Sequence, residues 1–336
     1  MNRRQYLARA GAAGSSVGAL AGLAGCLDDL SGSSGGDEGD AGTDDGAGSR
    51  AGVRAIDRAA GRLNDAAKAL DELEGLENPD AVEFDPEPPR TAIAEARDHL
   101  ETAESELGED RRADIATLRS YADALEGLVA VTATVTDDAI ADDIDTVTTA
   151  IESEGDIETA SETVDDRSAE IAAAHERWDE ANTTIRDLDG DRLGDLTGVD
   201  PADLEAGAAA LGDTVSSLET LAAAYDATLD LEAGYGALER GREHSDDREF
   251  EAARTAFETA ESTFSASQRR LENGLADAPE GLASHFETAE CQNRRLAAAA
   301  AAFAAAATAA SNGNPLAAKE HRSEGEAELE SVGNCS

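Results

Sequence analysis

The chain has 336 residues, with 73 acidic against 27 basic side chains, a formal charge of −46 and only 3% aromatic residues. That balance excludes a nucleic-acid partner, because phosphates are gripped by clustered Lys and Arg, and the pairs Arg269-Arg270 and Arg294-Arg295 stand isolated. It also sets the solvent: at ordinary ionic strength so much like charge opposes compaction, whereas at 1 M salt the Debye length is about 3 Å and most of the repulsion disappears.

The chain opens with Arg3 and Arg4, a spacer, then Tyr6 and Leu7. Sixteen uncharged residues follow, Ala10 to Gly25, rich in Ala and Gly and ending Leu23-Ala24-Gly25-Cys26. A basic start, an apolar middle and a small-residue cleavage site are the three parts of a removable signal. The stretch is short of the ~20 apolar residues that span a bilayer. The paired arginines resemble a twin-arginine export signal, and Leu23, Ala24, Gly25 and Cys26 resemble a lipobox. Together they resemble the twin-arginine-exported lipoproteins of haloarchaea, a likeness that covers residues 1–26 in motif and the remainder in composition. It implies cleavage before Cys26, lipid on its sulfur, and a place on the outer face of the cell membrane. One saturated chain binds membranes only marginally, so stable anchoring would need at least two. The mature chain would lose Arg3, Arg4 and Arg9 and no acid, leaving 24 basic against 73 acidic residues, a charge of −49. Its only lysines are Lys68 and Lys319. Acid-rich, lysine-poor, aromatic-poor surfaces resemble those of extreme halophiles.

Residues 27–50 are dominated by Gly, Ser and Asp and carry no apolar period, which predicts a flexible tether of about 27 Å root-mean-square length. From residue 51 the period is helical. Val53, Ile56, Ala60, Leu63, Ala67 and Leu70 make the first stripe, and Ile93, Ala96, Leu100, Ala103 and Leu107 the second. Others run through Ile115 to Val129, Ile140 to Ile151, Ile157 to Leu188, Leu204 to Leu229, Phe250 to Leu271 and Leu282 to Phe303. No segment alternates with period two. The expectation is an all-α fold of antiparallel helical hairpins, a bundle or short α-solenoid without β-sheet. Asn78-Pro79 and Pro86 to Pro89 separate the first two helices; Asp200-Pro201 and Asn314-Pro315 start later ones. Gly155-Asp156, Ser245-Asp246 and Pro279 mark turns. The Ala-rich stretch 296–310 reads as a closely packed inner helix. If the body divides, the turn-rich stretch 190–200 separates an N-terminal part, 51–190, from a C-terminal part, 200–336.

With Cys26 assigned to lipid, Cys291 and Cys335 remain, an even pair in an oxidising compartment. They lie about 21 residues before and 22 after the turn at Asn312-Gly313. Residues equidistant from a hairpin turn sit side by side, so an intramolecular disulfide is expected.

The search for chemistry finds little. His99, His175, His244, His285 and His321 include no pair at zinc-site spacing, and none has Glu three residues earlier, as di-iron bundles require. No nucleophile elbow, phosphate loop or dinucleotide glycine pattern occurs. Asp187, Asp189, Asp191 and Asp195 match positions 1, 3, 5 and 9 of an EF-hand loop. Arg192 stands where its glycine belongs, however, and Gly198 where its bidentate Glu belongs, so the reading is a solvated acidic loop and no metal site. Trp178, the single tryptophan, reads as core. No cofactor is expected.

Residues 234–267 are similar to one tetratricopeptide repeat: Gly241, Phe250, Ala253, Phe257 and Ala260 keep the signature intervals. The likeness implies a peptide-binding helical array. Ala237, Arg240, His244 and Ser265 depart from the pattern, an ordinary amphipathic hairpin gives the same spacing, and no peptide-contacting residue carries over. The sequence thus points to a lipid-anchored helical binding or scaffold protein with a protein partner at the cell surface. A module capturing a small solute or cation for a membrane partner is the alternative, and an envelope enzyme with an unrecognised site a third.

Overall fold

A computed structural model describes residues 45–73, 82–107, 109–153 and 155–335. The signal and lipobox residues lie outside these. The described residues form α1 (Asp45–Asp71), α2 (Glu87–Glu106), a 3-10 turn (Glu109–Arg111), α3 (Arg112–Val135), α4 (Asp138–Ser153) and α5 (Ile157–Asp187). They continue with α6 (Gly190–Thr197), α7 (Pro201–Leu229), α8 (Tyr235–Asp246), α9 (Phe250–Leu275), α10 (Glu280–Ser311) and α11 (Pro315–Val332). No strand occurs among the described residues, so the fold is all-α, as its 3.6-residue period requires.

Three local features differ from the sequence reading. Helix α1 begins at Asp45, inside the stretch 27–50 read as tether. Pro88 and Pro89 belong to the first turn of α2 and do not precede it; a proline is tolerated there because the first backbone N–H groups have no helical partner. The acidic loop at 187–198 contains α6, capped by the Asp189 carboxylate, which accepts from the Arg192 N–H, and closed by Gly198 at φ 76°. The expected starts at Asp200-Pro201 and Asn314-Pro315 are present, with the Asp200 and Asn314 side chains accepting from the N–H groups of Ala202 and Ala317.

Two apolar cores lie on opposite faces of α3. Ile115, Leu118, Ala122, Leu125 and Val129 pack with α1 and α2, together with Leu193 and Val199. Ala124, Leu128, Val131 and Val135 join the larger core of α4, α5 and α7 to α11. The sequence stripe marked one face of α3, but the segment from Tyr121 to Val135 is apolar almost all round, and such a helix is buried on both sides. The stretch 190–200 therefore does not separate the cores: Leu193 and Val199 reach back into the first, and α7 packs on α5 and α3 of the second.

Small residues let helices approach closely. A Cβ at Gly241 would lie 2.5 Å from the Phe257 ring, and one at Gly325 2.7 Å from Phe303. The tetratricopeptide-like spacing thus corresponds to an α8–α9 hairpin in which Gly241 receives Phe257, with Ala253 and Ala260 fully buried. The Ala-rich part of α10 is an inner helix, packed on α9 and α11, with Ala299 and Ala300 fully buried. Gly313, at φ 70°, turns the chain from α10 into α11, and Cys291 and Cys335 are bonded across this hairpin with Cα atoms 5.7 Å apart.

Candidate functional site

Where the two cores meet, α1, α3 and α7 leave a partly open cavity of about 70 Å3. Its walls are apolar side chains: Leu70 from α1, Leu125 and Leu128 from α3, Leu204 and Leu211 from α7. Besides Thr132, three polar groups border it as well. Tyr121 is fully buried, and its hydroxyl has no hydrogen-bond partner among the described residues. Burial pushes that phenol well above its ordinary range, so it stays protonated. Asp71, at the last turn of α1, has its Oδ1 buried without a donor among the described residues. Asp203, in the first turn of α7, is the third.

A carboxylate at an apolar wall loses hydration, and this burial is the main reason the Asp71 carboxyl is raised above its usual value; repulsion from Glu72 and then Asp203 adds to it. The folded chain therefore holds the Asp71 proton more tightly than the unfolded chain. Between the unfolded and the raised folded value, stability falls as pH rises, and the penalty is complete above the folded value. Asp71→Asn is accordingly expected to raise the melting temperature at pH 7, with the gain shrinking as pH is lowered through the carboxylate range. Melting curves of both proteins from pH 7 to pH 4 check this; a variant less stable than wild type at pH 7 would show that Asp71 has a stabilising partner instead.

Trp178 stands beside the site. It is half-buried, and does not sit wholly in the core: its Nε1–H donates to the Ala208 carbonyl at 2.6 Å, and Ala208 lines the cavity. The indole lies so close to Gly212 that a Cβ there would come within 2.3 Å of it, and His175 meets it edge-on at 5.7 Å.

The other residues singled out in the sequence fall elsewhere. Cys26, the export residues Arg3, Arg4, Tyr6 and Leu7, and the lipobox residues Leu23, Ala24 and Gly25 lie outside the described residues. Cys291 and Cys335 form the disulfide at the far end of α10 and α11. His175, His244 and His321 are each within salt-bridge distance of a glutamate, Glu219, Glu249 and Glu324 respectively. In the acidic loop, Arg192 pairs with Asp189 and reaches the buried Asp114 at 2.7 Å, so the cationic side chain occupies the place an EF-hand gives to a glycine. Among the described residues no group of three or more His, Cys, Asp or Glu is placed to hold a metal ion.

The cavity residues escaped the sequence reading for a physical reason. The predicted α3 stripe passes through Leu118 and Ala122 and leaves Tyr121 beside it; the one available signal is that a buried phenol ordinarily needs a partner. Asp71 and Asp203 are two acids among 73. Comparison with protein-family models, with curated proteins and with solved structures finds no match.

Proposed function

We propose that the chain is a lipid-anchored helical binding protein on the outer face of a halophile's cell membrane. Twin arginines followed at signal-peptide spacing by Leu23-Ala24-Gly25-Cys26 carry this reading. The mature charge of −49 supports a surface made for brine. No helix among the described residues is long and apolar enough to cross a membrane.

The test is Cys26→Ser in a haloarchaeal host. Wild type is expected in the membrane fraction with the added mass of lipid. The variant is expected to leave that fraction and to show no lipid mass. A variant that remains with membranes at the same mass as wild type would sink the proposal.

Between a scaffold for protein partners and a module for capturing a small solute, the cavity favours the second. The exposed large apolar side chains among the described residues are Leu231 and Leu316, single positions on different helical hairpins. The apolar surface that carries unpartnered polar groups lies instead between α1, α3 and α7.

A further inference from the structure

The solute-capture reading leaves the chemistry of the solute open, and the cavity narrows it. Its size is the first constraint. At about 70 Å3 it has roughly half the room of a cavity that takes a benzene ring, about 150 Å3. An unbranched chain of about three carbons fits that space and a six-membered ring does not. The walls of Leu70, Leu125, Leu128 and Leu211 offer such a chain dispersion contacts and no hydrogen bonds.

Charge is the second constraint. Among the described residues, Asp71 borders the cavity with one carboxylate oxygen buried and without a donor, and no basic side chain lines the space. Asp203 adds a second carboxylate to the same lining. An anionic guest would meet two like charges, and a neutral alcohol would leave the Asp71 charge uncompensated. A protonated nitrogen supplies the missing donors and the opposite charge. Because the Asp71 oxygen is buried, molar salt screens that attraction far less than it screens exposed pairs.

Resting on the capture reading, we propose that the α1–α3–α7 cavity binds a small amphiphilic cation, with an unbranched apolar body among the leucines and a protonated nitrogen donating to Asp71.

The experiment uses the full chain carrying Cys26→Ser, which takes no lipid, in 3 M potassium chloride at pH 7. n-Propylammonium, n-propanol and n-propanoate are titrated separately, followed by calorimetry and by the fluorescence of Trp178, the only tryptophan. n-Propylammonium is expected to bind at least tenfold more tightly than n-propanol, and n-propanoate not to bind. Asp71→Asn should abolish the preference for the ammonium. Ala208→Leu and Ala67→Leu, which fill the cavity from opposite walls, should each weaken both ligands at least tenfold with helical circular dichroism retained. n-Propanol binding as tightly as the ammonium would overturn the assigned class and leave the capture reading standing. Binding of neither ligand, or binding indifferent to both filling variants, would overturn the site and the capture reading together.

Discussion

Dialysis of the mature chain from molar potassium chloride into dilute buffer is expected to abolish its helical circular dichroism. With 24 basic residues against 73 acidic, the acids of the mature chain outnumber its Lys and Arg by 49. The pairs that do form are mostly exposed, as where Arg97 on α2 reaches Asp123 and Glu126 on α3, and exposed pairs contribute only about 0–1 kcal/mol each. The opposing apolar term is modest as well. Much of the first core is alanine, with Ala59, Ala66, Ala96 and Ala103 fully buried, and each alanine withdraws far less apolar surface from water than a leucine does. Salt is thus left to suppress the repulsion, and lowering it to 10 mM lengthens the Debye radius to about 30 Å, enough for carboxylates on neighbouring helices to repel across the fold. A salt titration followed at the helical ellipticity minimum checks this. Full helicity in dilute buffer would count against the halophile reading.

Removing the disulfide by Cys291→Ser with Cys335→Ser is expected to cost up to about 4 kcal/mol, the loop-closure entropy of a 44-residue span, and less where the unfolded chain retains structure. For a chain of this size that corresponds to a fall in melting temperature of up to about 10 °C in high salt. The bond also holds the C-terminus in place. Val332, near the end of α11, is buried, and Gly333 lies beside the Glu152 carbonyl near the end of α4. Without the bond this last turn would fray first. Adding a reductant to wild type should reproduce the double variant's melting curve. An unchanged melting temperature in both would show that the hairpin is fully held by its packing.

Much of the architecture is legible in the sequence because helices announce themselves by period and by caps. The stripes from Val53 to Phe303 lie on helices except at Leu107 and Leu188, which follow the last residues of α2 and α5; Asp200-Pro201 opens α7, and counting from Asn312-Gly313 pairs Cys291 with Cys335. What escaped was decided by tertiary contact. The eight-residue α6 is too short to hold itself together; it is held by burial of Leu193, by Asn64 donating to the Thr197 carbonyl at 2.8 Å, and by Arg192 against Asp114. The double burial of α3 needs two partners that a single stripe does not reveal. The cavity is less legible still. It arises because Leu70 and Leu204, each reading as an ordinary core position, and Leu128, off the predicted stripe, line a space they do not fill.

The position of α3 has a thermodynamic consequence. A helix that is a wall of both cores cannot lose its packing on one side while keeping it intact on the other. Damage to either half is therefore expected to reach its neighbour, and the two interiors are expected to melt in one transition. A guest lodged at the seam would act as a clasp between them.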